Sequence, residues 1–396
     1  MNEYKCVPLD ENVEEMFIGP FGSSLKNECF VDEDEAYCMV YEQKHAIQKT
    51  MDVETRYVNE QKYNELKRFN IHGGDIIVSC RGTIGETFVV PEDAPLGIMH
   101  PSIMKIRLKD GVYDKYYFNL LLKSRLKKHE AEANGSGIKM AISATELGRE
   151  LFPVPTMQEQ QEITDIISGI SAVIEKRKQE LSALDDLIKA RFVEMFGDND
   201  KKVAISSLCD VSGGYSFKSE DISSKGFIKI LQIGNVYLDD VNWETTNYLP
   251  KGFDNVYSRF LLNEGDIVIA LTRPIIQSLG NVKACIVKAS DTPCLLNQRV
   301  GRIVSKKNVD VNLKFIYGCL MTDDFTRYVE SCCIGCSQPN ISTKDIENYM
   351  IPDASYEKQM DFVKFKEQVD KSKVAVQKAL DETQLLFDSL MQQYFG

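Results

Sequence analysis

At 396 residues, with 43% hydrophobic and 27% charged side chains, the chain has an ordinary globular composition and the length of two or three domains. No apolar run approaches the roughly 18 residues that span a bilayer, which argues against a helical membrane protein and against a membrane partner. The polar, acidic start MNEYKCVPLDENVEE predicts no signal peptide, so the eleven cysteines read as reduced thiols of a cytoplasmic protein.

The net charge of −12 is spread unevenly. Nine carboxylates stand between residues 10 and 35, against Lys26 alone, on either side of the glycine-rich stretch GPFGSSLK. Short apolar runs bounded by Gly and Pro follow (GDIIVSC, ETFVVP, HPSIMKIRL), and then an amphipathic helix, YDKYYFNLLLKSRLKKHEAEA. That alternation predicts a mixed α/β domain, with the glycines of GGD and RGTIG turning the strand ends. Residues 105–128 carry eight basic side chains, and Lys123, Arg125, Lys127 and Lys128 fall within six positions. Such a run is either a solvated helix face or a ridge that meets phosphates.

From Met157 to Phe196 there is no proline, and Ile163, Ile167, Ile170, Ile174, Leu181, Leu184, Ile188 and Met195 are spaced 4-3-4-7-3-4-7, with Arg177 and Arg191 in the skipped slots. This is a heptad seam on a helical rod of roughly 60 Å. The rod stops at Gly197, and a second mixed stretch runs to about residue 350. A second rod follows from Tyr356 to Phe395, with Phe362, Phe365, Val369, Val376, Leu380, Phe387, Leu390 and Tyr394 in its seam. Neither rod can leave its stripe in water. An antiparallel coiled coil of the two is the economical arrangement; each rod follows its own domain, so that pairing would put the domains at opposite ends. A homodimeric coiled coil is the alternative.

The chain therefore repeats itself. Gly135 to Gly197 aligns without a gap on Ile334 to Gly396, offset by 199 residues, so that Ser143 falls on Ser342, Pro153 on Pro352 and Gln160 on Gln359. Upstream, Gly74–Asp75 matches Gly265–Asp266, and GPFGSSLK has a weaker partner in GGYSFKSED. The expected organisation is residues 1–152 as a first globular domain, 153–197 as a central helical spacer, 198–352 as a second domain and 353–396 as a C-terminal spacer, related by a pseudo-twofold. Two similar surfaces suit a partner with two similar halves.

On these motifs the whole chain resembles the specificity subunit of a Type I restriction-modification enzyme. The junctions GSGIKMAISATELGRELFPVPTMQEQQEI and IGCSQPNISTKDIENYMIPDASYEKQMDF carry the resemblance, most of all SQPNIS at 337–342, each ahead of a heptad helix of equal length. The second junction departs from the pattern with Ala354 where Pro155 stands and Lys358 in place of Glu159. The resemblance implies two target-recognition domains and a non-catalytic subunit that reads a bipartite, asymmetric double-stranded DNA target. It also implies binding of two adenine methyltransferase subunits and two motor-nuclease subunits, with no cofactor and no metal. A specificity subunit of a modification-only system would look the same, and a coiled-coil scaffold with two ligand-binding modules is the alternative from another class.

Base readout needs forked donors and acceptors, and phosphate approach needs amides and lysines. In the first domain the candidates are Gly22, Ser23, Ser24 and Lys26 for phosphate, Arg81 and Thr83 for the groove, and Lys123, Arg125 and Lys127 on the ridge. The second domain offers Lys218, Arg273, Gln277 and Arg299. The junctions add Ser136, Ser143, Ser337, Gln338, Asn340 and Ser342. For spacer packing and subunit docking the candidates are Ile163, Ile170, Leu181, Leu184, Ile188, Phe362, Val369, Leu380 and Phe387. Cys332, Cys333 and Cys336 lack a second pair at zinc-finger spacing. No phosphate-binding loop and no adenine methyltransferase tetrapeptide occurs, which leaves no candidate catalytic residue.

Overall fold

The computed structural model describes residues 4–81, 83–134, 143–197, 199–276, 280–333 and 339–396. They group into two compact units, Met1–Lys178 with Lys378–Gly396, and Gln179–Gln377. Each rod is thus shared out, because each rod end packs into a domain core. Among the described residues no helix is long and apolar enough to cross a membrane.

In the first unit the strands are β1 (Cys6–Pro8), β2 (Val13–Ile18), β3 (Cys38–Tyr41), β4 (Tyr57–Val58), β5 (Asn70–Ile71), β6 (Ile76–Ser79), β7 (Thr87–Val89), β8 (Gly97–Met99), β9 (Ile103–Leu108) and β10 (Leu151–Pro153). The helices are α1 (Gln43–Gln48), α2 (Glu60–Glu65), α3 (Lys115–Asn134), α4 (Ala144–Arg149) and the rod α5 (Met157–Phe196). One sheet is antiparallel in the order β2-β9-β6-β7; the other, β4-β3-β8-β5, is mixed, with β3 and β8 parallel. All four residues of β6 are buried, since its two faces serve two cores. Ile76 and Val78 meet Tyr117, Phe118 and Leu121 of α3. Ile77, pointing the other way as strand alternation requires, joins Met39, Tyr41 and Met99.

The second unit repeats the plan. Its strands are β11 (Lys202–Ala204), β12 (Cys209–Gly213), β13 (Ile228–Leu231), β14 (Asn247–Leu249), β15 (Ile267–Ala270), β16 (Ile275–Ile276), β17 (Asn281–Val282), β18 (Ala284–Ile286), β19 (Cys294–Leu296), β20 (Val300–Ser305) and β21 (Met350–Pro352). Its helices are α6 (Ile205–Leu208), α7 (Phe253–Val256), α8 (Leu313–Leu320), α9 (Asp323–Cys332), α10 (Thr343–Asn348) and the rod α11 (Tyr356–Phe395). The antiparallel sheet β12-β20-β15-β18 stands where β2-β9-β6-β7 stands in the first unit, and β14-β13-β19 replaces the mixed sheet. The single long helix α3 is answered by two, α8 and α9, split where the Thr322 hydroxyl caps the second.

The aligned junctions are built alike. The terminal strands pair antiparallel, Val7 opposite Phe152 and Val203 opposite Ile351. Behind each pair lies a fully buried glutamine. Gln160 accepts the Asp114 amide at 2.8 Å and donates to the Val112 and Pro155 carbonyls, both at 2.9 Å. Gln359 accepts the Asn312 amide and donates to the Ala354 carbonyl, each at 2.9 Å. Asp114 and Asn312 in turn cap α3 and α8. The departure at Lys358 has a local effect: Glu159 completes a reciprocal cap with Thr156, whereas Lys358 only donates its amide to the Ser355 hydroxyl.

Within each unit the rod segments run antiparallel. In the first, Ile163 and Ile167 share a core with Phe395 and Tyr394, while Arg177 bonds the Ala379 carbonyl and Thr383 hydroxyl two turns and more away. In the second, Phe196 lies 5.8 Å from Phe362, Arg191 sits over Phe365 at 5.6 Å, and Asp185 pairs with Lys373 at 2.6 Å. Ile163, Phe362 and Val369 are buried; Ile170, Leu181, Leu184, Ile188, Leu380 and Phe387 are half-buried, as a two-helix seam leaves them. Arg177 and Arg191 fill the skipped heptad slots with bonds and ring contacts across the pair. A single antiparallel chain thus closes both stripes.

Candidate nucleic-acid interface

One edge of the first unit collects the loops that follow β2, β3, β6 and β8. The Gly19 amide donates to Ile103 O at 3.0 Å, Cys80 to Ser102 O at 2.8 Å and His100 to Tyr41 O at 2.9 Å. Gly19 must be glycine, because a Cβ there would lie 2.3 Å from the His100 carbonyl oxygen. Pinned at that point, the chain throws Phe21 into solvent, 88% exposed, before a short turn at Gly22–Ser24. Buried Leu25 anchors the far side of the turn, and Lys26 projects from it. His100 is packed into the edge, with its Nδ1 2.8 Å from the Ser102 hydroxyl, and burial pushes its pKa down.

The β6–β7 loop is held by buried Ser79, whose hydroxyl donates to Thr83 O at 2.6 Å and accepts the Glu86 amide at 3.0 Å. Arg81 and Thr83 are exposed on it, and no side-chain partner of Arg81 appears among the described residues. The same loop rests on α3. Gly85, at φ +84°, faces Leu126, and the Glu86 carboxylate approaches Lys123 at 3.7 Å and Lys49, just after α1, at 3.4 Å. The groove candidates Arg81 and Thr83 are therefore joined to the ridge candidate Lys123. Arg125 is not on that side. Two residues on from Lys123, it points to the other side of the helix.

The second unit builds the same edge. Gly214 donates to Val300 O at 3.1 Å, Leu271 to Arg299 O at 2.9 Å and Asn297 to Leu231 O at 3.1 Å. A Cβ on Gly214 would again lie 2.3 Å from a carbonyl oxygen, that of Asn297. Lys218 matches Lys26: each begins a short turn and stands near a glutamate two residues on. Tyr215 packs edge-on against Phe217 and at a tilt against Tyr257 and Phe260 beside the loop. Arg299 and Arg273 are exposed. Arg273 adopts φ +48°, a conformation side-chain-bearing residues rarely take. It is held there by its amide, which donates to Pro339 O at 2.8 Å, while Ile341 donates to Leu271 O at 2.9 Å and Thr272 bridges Asn340. The second junction thus laces itself to the loop that carries Arg273.

Ser143 and Ser342 serve as helix caps. Their hydroxyls accept the amides of Glu146 at 3.3 Å and Asp345 at 3.1 Å, capping α4 and α10. Ser136, Gln277, Ser337 and Gln338 lie outside the described residues. The reading of the sequence missed Lys49, which no spacing links to α3, and Phe21, which sat unremarked inside a glycine-rich stretch.

Beyond the rod seam, α5 carries exposed Ile166 and Val173 in the first unit and Leu187 in the second, at multiples of seven residues. In the second unit a cleft of about 550 Å³ opens beside Ile188, Phe192, Phe362 and Met321.

Residues 14–184 and 198–383 match the Type I restriction modification DNA specificity domain. The chain is similar to the Type I restriction enzyme MjaVIII specificity subunit of Methanocaldococcus jannaschii, 27% identical over 310 residues, covering 72% of this chain and 70% of that protein. It is also similar to the EcoAI specificity subunit of Escherichia coli, 33% identical over 150 residues, which is 37% of this chain but 24% of that one. Among solved structures, the S subunit of a Type I restriction-modification system from M. genitalium is similar in fold at a TM-score of 0.54 and 16% identity, with 100% of this chain and 97% of that one covered. A chain from a structural study of assembly and conformational transition in the type I R-M system reaches 0.61 at 14% identity, covering 100% and 98%.

Proposed function

The chain belongs to the Type I restriction modification DNA specificity family, and we propose that the two loop edges are its reading heads, one for each half of a divided DNA target. The protein is the DNA specificity subunit of a restriction-modification complex; it selects the sequence and leaves catalysis to the subunits it binds. The observation that carries the assignment of the edges is their equivalence. In both units a glycine pressed on a carbonyl, a lysine-led turn and a strand-end loop with an exposed arginine converge on one edge. Arg81 in the first domain and Arg273 and Arg299 in the second are the base readers, since guanidinium forks match guanine in the major groove. Lys26 and Lys218 meet phosphates.

The rods set the distance between the half-sites, about one helical turn or 34 Å for readers on one face of a duplex. They also receive the methyltransferase subunits, two per chain, one for each domain. Ile166 and Val173 give the first-unit part of α5 an exposed apolar pair one heptad apart, the kind of surface a partner helix needs. Two motor-nuclease subunits complete the restriction assembly, which acts in the cytoplasm. The test is duplex binding by the chain with its methyltransferase, using the sequence methylated in the host and a scrambled control. Selective binding supports the reading, and equal binding to both duplexes contradicts it.

A further inference from the structure

We infer that Lys49, Lys123 and Lys127 form a seat for one phosphate of the DNA backbone in the first recognition domain, with no counterpart among the described residues of the second. The inference rests on the reading of that domain's edge as a DNA surface. Three separate elements bring the cluster together: Lys49 at the C-terminal end of α1, Lys123 and Lys127 one turn apart on α3, and Glu86 where the β6–β7 loop enters β7. Lys127 stands beside Lys123, and among the described residues Glu86 is the acid that faces Lys49 and Lys123. Its Oε2 is shut off from water and lies 3.4 Å from the Lys49 ammonium and 3.7 Å from that of Lys123, without a hydrogen bond to either.

Among the described residues one carboxylate stands against three ammonium groups, which leaves an excess of positive charge on a surface that is partly closed. The Lys123 side chain is only 27% exposed, so water screens it poorly. Burial, and then the neighbouring Lys49 and Lys127, push the Lys123 pKa down to about 8 despite the pull of Glu86. A phosphate supplies the missing negative charge and accepts from several donors at once. It would do so beside the loop of exposed Arg81 and Thr83, which precede Glu86 by five and three residues. In the second domain, counting from the equivalent caps Asp114 and Asn312, Lys123 and Lys127 give way to Met321 and buried Phe325. The helix breaks there, and an apolar core takes the place of the seat.

The experiment uses the complex of the full chain with its methyltransferase and two duplexes of about 30 base pairs, roughly three helical turns, one carrying the methylated sequence and one scrambled. The substitutions are Lys49→Gln, Lys123→Gln and Lys123→Arg. Each glutamine variant should lower the slope of log affinity against log salt by about one, roughly a three- to four-fold change in affinity between 50 and 200 mM salt, equally for both duplexes. The methylated sequence should not change. Lys123→Arg should keep the salt slope. Wild type should also take up a proton on binding near pH 8 to 9, because phosphate raises the depressed Lys123 pKa, and Lys123→Arg should not. Calorimetry in buffers of different ionisation enthalpy reads that uptake. Co-purification with the methyltransferase verifies that the variants are folded. Glutamine variants with the wild-type salt slope, or an arginine variant that still takes up the proton, would overturn the seat while leaving selective binding intact. A wild-type complex indifferent to sequence would overturn the reading of the edge, and the seat with it.

Discussion

Gly19 and Gly214 make the same approach to a carbonyl oxygen, 2.3 Å from where a Cβ would sit, yet the chains that leave them diverge within a few residues. In the first domain a three-residue turn lifts Phe21 into solvent before Lys26; in the second, Tyr215 folds back on an aromatic group and Lys218 follows directly. The loops from β6 and β15 part in the same way. One is tied by Ser79 and rests on the basic face of α3; the other puts Arg273 in a left-handed conformation and is laced to Pro339–Ile341. What the domains share lies where backbone meets backbone, and what they vary lies where side chains meet solvent. A reader that must change its target without losing its ruler needs that division.

The rods should be the least forgiving place to test it. Leu184→Asp with Ile188→Asp puts two carboxylates on half-buried seam positions of the second unit, and burying an unpaired charge is strongly unfavourable. The expected outcome is loss of the methyltransferase from the purified complex, with both half-sites unread. Normal stoichiometry by mass photometry would show that the rods do not dock it.

Replacing the paired glutamines comes next. Gln160→Ala strips partners from a buried amide and two carbonyls, and Gln359→Ala from one of each, at roughly 1–3 kcal/mol for each group left unpaired. Urea denaturation should register a larger loss for Gln160→Ala. Equal losses would mean that the first junction gains nothing from its extra bond.

Arg273 separates backbone from readout. Arg273→Gly keeps the left-handed conformation without strain and removes the guanidinium. Duplex affinity should fall by about 1–3 kcal/mol, and specificity should relax in the second half-site alone. Unchanged selectivity with a raised melting temperature would assign Arg273 to the turn and not to the DNA.

The smallest contrast is electrostatic. Burial raises the Glu15 pKa, but Lys105 and Arg107 outweigh it and hold the carboxyl below its usual range. Asp266 is pushed up, because burial outweighs the Asn263 amide and Arg302. The signs are therefore opposite. The stability from Glu15 is present above its unfolded pKa and lost as pH falls through the lower folded value, while protonation of Asp266 favours its fold as pH falls. On acidification from neutral into the carboxylate range, hydrogen exchange should quicken in β2 and β9 before β15 and β20, and Glu15→Gln should remove the difference.

How much of this the sequence disclosed follows the same division. The rods were legible because a heptad seam repeats many times over, and their skipped slots named Arg177 and Arg191 as the polar breaks. The junction register was legible because Gln160 and Gln359 keep one offset. The basic run at 123–128 is either a solvated face or a phosphate ridge in the sequence, and the helix turn sends Arg125 to the opposite side from Lys123 and Lys127. Lys49 stands 74 positions from Lys123 and carries no periodicity, so only tertiary packing could bring it to Glu86. The capping roles of Ser143 and Ser342 were hidden for a simpler reason: a serine before a helix and a serine facing a phosphate look alike in a sequence.

The central claim is that one frame carries two independent readers, and methylome sequencing after a one-domain exchange tests it most directly. Residues 198–333 of the chain are replaced by the equivalent stretch of a related subunit, and the methylated adenines of the host are mapped. The account predicts one half of the methylated sequence altered, with the other half and the spacing between them preserved. Both halves shifting together, or a changed spacing with the rods untouched, would contradict it.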